Sequence, residues 1–144
     1  MPPVTLHPAA AHLDYVEALL ERNGLPSRDV RARPEQFYYA TAEGERVGIG
    51  GLEPYGSVGL LRSVAVEAAK RGHGYGSAIC EALESKARTN GVETLYLLTT
   101  TAAAFFDARG YETVDRADAP AAIRQTTVSY PRASKNAAAV VVRR

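Results

Sequence analysis

At 144 residues, 46% hydrophobic and 23% charged, the chain has the composition of a soluble globular protein and the length of one domain, 1–144, around one core. A net charge of +1 offers no field for nucleic acid or an anionic membrane surface, and the lack of a long apolar run or signal-type segment makes a reducing cytoplasm the expected address. The single cysteine, Cys80, excludes an intrachain disulfide, and His7, His12 and His73 form no HExxH motif, so no metal is expected.

Val4 to Leu6 reads as a short strand. Leu13, Val16 and Leu20 then recur at helical spacing, and Asn23-Gly24 supplies a C-terminal stop. "LPSRDVRARPEQ" is polar, contains prolines, and predicts a loop or one short helical turn. Phe37 to Ala42 and Val47 to Glu53 form a hairpin turning at Glu43-Gly44-Glu45, and Val58 to Val66, after a turn at Gly56, is a third antiparallel strand. Ile79, Ala82, Leu83 and Ala87 line one face of a helix that Asn90-Gly91 ends. "ETLYLLTT" follows as a buried strand, "TAAAFFDARG" as a short helix stopped by Gly110, and "YETVDR" as a strand. "APAAIRQTTVSYP" is helical or irregular, and "AAVVV" is a last strand. This order predicts an α/β sandwich on one mixed sheet, with the strands either side of the central helix parallel through a right-handed crossover.

Gly72, Gly74 and Gly76 alternate at the opening of that helix. Glycine there costs backbone entropy and caps no better than Ser or Asp, so the spacing suits a ligand that approaches the main chain closely. A helix N-terminus with unpaired amides and the positive end of its dipole suits a phosphate. No GxxxxGK[ST] occurs, which excludes a P-loop. A Rossmann fingerprint would place Ser77 or the bulky Ile79 at its last position, and the loop stands several residues beyond Val66, so that reading fails too.

Arg71-Gly72-His73-Gly74-Tyr75-Gly76 resembles the (Q/R)-x-x-G-x-(G/A) pyrophosphate loop of the GNAT superfamily of N-acetyltransferases, and "FFDARGYE" resembles that superfamily's later "FYxxxGF" segment. The resemblance implies a single N-acetyltransferase domain with a GNAT-like α/β fold, its mixed sheet splayed at the centre and flanked by helices. It implies acetyl-CoA as co-substrate and no metal. Backbone groups of Val64, Ala65 and Val66 would bind the acetyl carbonyl and the pantetheine, with Val64 at the carbonyl. The amides of Gly72 to Gly76, with Tyr75 and Ser77, would hold the pyrophosphate, and Phe105 and Phe106 would pack beneath the coenzyme. His73 is a solvent-facing filler or a phosphate donor, and Arg71 a solvated charge or a phosphate contact. Cys80 reads as a buried structural thiol. "GLEPYGSVGLLRSVAV", "LYLLTTTAAAFFDARGY" and the Arg116, Ala119, Pro120, Ile123, Thr126 pattern further resemble the arsenic-resistance branch of the superfamily, linked to amino acids bearing an arsinate or phosphinate. Tyr130 stands where that branch carries Cys.

Amine acetylation needs a neutral amine, a polarised carbonyl and a proton for the leaving thiolate. Glu53, near a strand end, is the candidate base. Phe106 occupies the position where many family members place an acidic Tyr, so the thiolate proton must come from water or another hydroxyl. Arg62, between aliphatic residues, needs an anionic partner. That partner is either Glu53 on the adjoining strand or an acidic group of the acceptor. Simple alternation would place Arg62, Val64 and Val66 on one face and Ser63 and Ala65 on the other. The expected function is transfer of acetyl to a small amine, an amino acid or its arsinate or phosphinate analogue. Acetylation of a protein N-terminus or lysine and a non-catalytic acyl-CoA-binding module are the alternatives. The expected partners are therefore a small amine and acetyl-CoA, with no nucleic acid or membrane, and a homodimer is left open.

Overall fold

The computed structural model describes residues 3–25, 27–99, 103–118, 120–121, 123 and 139–143. Its elements are β1 (Thr5–Pro8), α1 (Leu13–Arg22), β2 (Phe37–Ala42), β3 (Glu45–Tyr55), β4 (Val58–Val66), α2 (Tyr75–Thr89), β5 (Thr94–Thr99), α3 (Ala103–Ala108), β6 (Glu112–Val114) and β7 (Ala139–Arg143). Two 3-10 turns, Val30–Ala32 and Pro34–Gln36, bridge α1 to β2 where the sequence predicts a loop or short turn. Most of "APAAIRQTTVSYP", including Thr126 and Tyr130, lies outside the described residues.

Among the described residues, seven strands form one mixed sheet in the order β1-β2-β3-β4-β5-β7-β6. β4 and β5 are parallel across α2, as the crossover requires, and every other pair is antiparallel. The last strand inserts between β5 and β6, an order that chain sequence alone does not dictate. Helix α1 covers one face of the sheet through Val16, Leu19 and Leu20, which pack with Val30, Phe37, Ile49 and Ala65. Helix α2 covers the other through Ile79, Cys80, Leu83 and Ala87, against Leu52, Leu61 and Leu97. Strand β3 admits α2 only because it carries no side chain at two points. A Cβ on Gly48 would lie 2.4 Å from the Ala65 carbonyl oxygen and 2.8 Å from Ile79 Cδ1, and one on Gly50 would lie 2.5 Å from Leu83 Cδ1.

Simple alternation fails in β4. Gly51 pairs with Arg62 and Ile49 with Ala65, so β4 carries one residue more than β3 across this stretch. The extra length is a bulge at Ser63, whose φ of 60° lies in the left-handed region. Its consequence is a change of face. Arg62 and Ala65 look towards the α1 side, beside Phe37 and Ile49, whereas Leu61, Val64 and Val66 pack on the α2 side. Arg62 and Val64 are therefore on opposite faces, contrary to the two-residue period.

The far end of α2 is tied to α3 and β7 by Glu84, which is 2% exposed. It accepts hydrogen bonds from Tyr111 Oη (2.8 Å), Arg109 Nη2 (3.1 Å) and Arg143 Nη1 (2.9 Å). A buried carboxylate with three donors is satisfied, and it fixes α3 relative to the helix that carries the glycine loop.

Candidate active site

The glycine loop folds as its spacing requires. Gly72 and Gly74 both hold φ of 82°, and Gly74 is the N-cap of α2 in the left-handed conformation. Among the described residues no side chain caps the helix, and its first turn carries no acidic residue, so the first amides of α2 are open to an anion. They open on a cavity of about 210 Å³ lined by Val66, Lys70, Arg71, Gly72, Gly74, Tyr75, Gly76, Ser77 and Phe105. Lys70 was not singled out from sequence. Its Nζ reaches Glu45 Oε2 at 2.6 Å, and Arg71 Nη2 donates to Asn23 Oδ1 at 2.6 Å, so both cations stand at the rim with ligands that a phosphate could replace. His73 is exposed and is not among the lining residues.

Between this cavity and the centre of the sheet, β4 has an open edge. Among the described residues its pairing with β5 runs from Val58–Thr94 to Leu61–Leu97 and stops there, which is the splay expected from sequence. The direction of the free groups follows from the next bond. Glu67 N–H donates to Val47 O at 2.9 Å, towards β3, so Ala65, two residues earlier, also turns its main-chain groups to β3. Val64 and Val66 lie between and turn theirs into the gap. Ala65 is thus the member of the expected trio whose backbone is already engaged; its side chain, 5% exposed, packs on the α1 side.

At the apex of the splay, on the α1 side, lies a cluster of charges. Arg62 is 5% exposed and donates from Nη1 to Glu53 Oε2 (2.9 Å), from Nε to Ser63 Oγ (3.0 Å), and from Nη1 and Nη2 to both carboxylate oxygens of Asp29, the Nη2 bond at 3.0 Å. Burial works against the guanidinium charge, but its bonds to Asp29 and Glu53 outweigh it and raise its pKa. The same contact holds the Asp29 carboxyl below its ordinary value, again against burial. Glu53 is 6% exposed and accepts from Tyr55 Oη at 2.5 Å on its second oxygen. Burial and the adjacent Glu53 charge push the Tyr55 phenol up to about 12, so it is a donor at neutral pH.

The Glu53–Arg62 pair foreseen from strand adjacency is present. Asp29 and Tyr55 were not foreseen. Tyr55 is two residues from Glu53 on the same strand face and could have been found by alternation, but Asp29 lies 33 positions from Arg62 in an irregular segment, with no local signal. The two phenylalanines separate. Phe105, 40% exposed, lines the cavity. Phe106, 6% exposed, is a core residue with its ring edge-on to Tyr111 at 5.4 Å and is not among the lining residues. Cys80 is fully buried and its thiol is pushed up to about 12 by burial, which removes thiolate character.

Residues 33–113, from the second 3-10 turn through the splay, the loop and α3, match the model of the acetyltransferase (GNAT) domain. The chain belongs to the GNAT acetyltransferase family. Among curated relatives, amino-acid acetyltransferases of Pseudomonas fluorescens and Pseudomonas putida are 35% and 34% identical to it over 128 and 136 residues. These alignments cover 85% and 91% of this chain and only 29% and 31% of those proteins, so the chain spans about three-tenths of the length of the curated relatives it matches. The GNAT fold recurs in N-acetylglutamate synthase from Neisseria gonorrhoeae, solved with coenzyme A and L-arginine, at a TM-score of 0.81 and 22% identity over 100% of this chain and 34% of that one. It recurs at full length in Rv2747 from Mycobacterium tuberculosis, solved with CoA, with a TM-score of 0.75 and 21% identity, covering 96% of this chain and 97% of that one. Among the described residues of this GNAT domain no cluster of His, Cys, Asp or Glu is arranged to hold a metal, and no helix is long and apolar enough to cross a membrane.

Proposed function

We propose that this GNAT domain transfers acetyl from acetyl-CoA to the amine of a small amino acid by direct attack in a ternary complex. The observation that carries the reading is the continuity of three features. The uncapped α2 amides lead to the open β4 edge at Val64 and Val66, and that edge ends on the Glu53–Arg62 cluster. A coenzyme pyrophosphate fits the 210 Å³ cavity, and its pantetheine amides have a row of strand partners to pair with. The carbonyl at the end of that row lies by Val64, whose N–H polarises it.

The acceptor nitrogen attacks the thioester carbon, the C–S bond breaks, and the nitrogen loses a proton. A lysine-type amine near pKa 10.4 costs roughly 5 kcal/mol to deprotonate at neutral pH, and the more acidic α-ammonium of a free amino acid costs less. Glu53 receives that proton through water. Tyr55 and Arg62 each take one of its oxygens and fix the carboxylate, leaving a lone pair on each. The thiolate is protonated by solvent, since neither Phe105 nor Phe106 has a proton to give. Arg62 serves the acidic group of the acceptor.

Amino-acid acetyltransferases among the relatives support an amino-acid acceptor, and the arsenic-resistance resemblance extends the class to arsinate and phosphinate analogues. The test is release of free coenzyme thiol with a panel of acidic and neutral amino acids, their phosphinate analogues, a lysine peptide and a peptide with a free N-terminus. Turnover confined to the peptides would replace the reading with protein acetylation. Tight coenzyme binding without turnover on any acceptor would make the domain an acyl-CoA-binding module.

A further inference from the structure

The Arg62 fork, which the proposed acetyltransfer needs for its acceptor, is occupied by the chain's own carboxylate. A guanidinium has five N–H groups. Among the described residues Asp29 takes two, Glu53 one and Ser63 one, which leaves a single N–H for any ligand. The two carboxylates are not equivalent. Glu53 is in the body of β3 with a side chain 8% exposed, and Tyr55 secures its other oxygen. The Asp29 side chain is 35% exposed and precedes a three-residue 3-10 turn that it does not cap. Among the described residues, Arg62 is the side chain hydrogen-bonded to it, beside a bond from its own main chain. The backbone beneath it is anchored, because Val30 is fully buried with α1, so a rotation of the Asp29 side chain towards solvent frees the fork without moving the segment.

We infer that Asp29 is an exchangeable place-holder: the α-carboxylate of an amino-acid acceptor displaces it from Arg62, and this exchange sets acceptor selectivity. The exchange replaces one planar two-oxygen anion with another on the same guanidinium, so the number of charge-assisted bonds is conserved. A neutral amine lacking the carboxylate gains nothing from the swap and leaves Asp29 in place. Selectivity for amino acids over simple amines then arises from a residue that need not touch the acceptor. Asp29 is a positioning residue acting through Arg62.

The inference rests on the proposed acetyltransfer for its meaning but is read by binding, which does not require turnover. Asp29→Asn removes the competing charge. With coenzyme A present, its dissociation constant for L-glutamate, by calorimetry, should fall at least tenfold below that of the unmodified protein. L-glutamine, which keeps only the α-carboxylate, should gain equally, and L-isoglutamine, which keeps only the side-chain carboxylate, should not. Unchanged or weaker L-glutamate binding in a folded variant overturns the inference, and a gain confined to L-isoglutamine overturns the α-carboxylate assignment. Should the variant fail to fold, the unmodified protein labelled with carbon-13 at aspartate carboxyls decides. Saturating L-glutamate should move the titration midpoint of Asp29 up towards the ordinary aspartate value, and an unmoved midpoint overturns the exchange. Failure of thiol release with every acceptor, by contrast, removes the acetyltransfer reading while these binding results stand.

Discussion

Gly76→Asp separates coenzyme binding from folding more cleanly than a methyl at the same position, since the family's loop pattern itself admits Ala there. Gly72 and Gly74 hold φ of 82°, so a side chain at either strains the backbone as well as crowding the ligand. Gly76 is different: it is the second residue of α2, its φ is not positive, and among the described residues a Cβ there meets only Val66 Cγ2, at an ordinary 3.7 Å. The folded protein therefore accommodates the Cβ, and a carboxylate in the uncapped first turn of α2 favours the helix by about 0.3–1 kcal/mol, for a rise in Tm of roughly 1–4 °C. The same carboxylate stands in the wall of the 210 Å³ cavity where a pyrophosphate must touch the amides, and repels it. Lifting a phosphate off one charged hydrogen bond removes about 1.5–3 kcal/mol, which is roughly a 10- to 150-fold rise in Kd for coenzyme A. Calorimetry with coenzyme A, beside a thermal melt of the same sample, reads both quantities. Unchanged affinity together with an unchanged or higher Tm would refute the assignment of these amides to the pyrophosphate.

Arg62→Met leaves Asp29 and the buried Glu53 without their cation, a loss of about 3–5 kcal/mol, so Tm should fall by roughly 6–20 °C while KM for amino-acid acceptors rises and KM for acetyl-CoA stays put. A fall in Tm with no change in acceptor KM would leave Arg62 a purely structural residue. Because Arg62 holds the Asp29 carboxyl below its ordinary 3.8, that pair stabilises the fold above about pH 4, and its contribution is lost as pH falls further; a Tm-against-pH series should show this acid limb, and Arg62→Met should flatten it. Phe106→Tyr places a hydroxyl in the core beside Tyr111, so Tm should drop, and turnover should change by less than about tenfold, under ~1.4 kcal/mol in barrier; a gain of several hundredfold would show that the natural chain lacks an acid.

Local signals in the sequence were sufficient for the elements themselves. Apolar spacing and the stops at Asn23-Gly24 and Asn90-Gly91 outline α1 and α2, β4 runs from Val58 to Val66 as its aliphatic stretch predicts, and the alternating glycines mark the left-handed turn into α2. Each of these is written within a few residues of itself, in side-chain periodicity or in the φ that only glycine adopts freely. The Glu53–Arg62 end of the splay is written differently. Which way Val64 points depends on a bulge at Ser63 that exists only because β3 and β4 pair with unequal length. Asp29 reaches Arg62 only after α1 has packed and Val30 is buried beneath it. Phe105 and Phe106 are adjacent in sequence, yet one lines the cavity and the other fills the core, because α3 is oriented by bonds converging on Glu84 from distant parts of the chain. Conformational preference is a property of neighbours along the chain, whereas a buried charge takes whatever partner packing delivers, and packing is decided by the whole sheet at once.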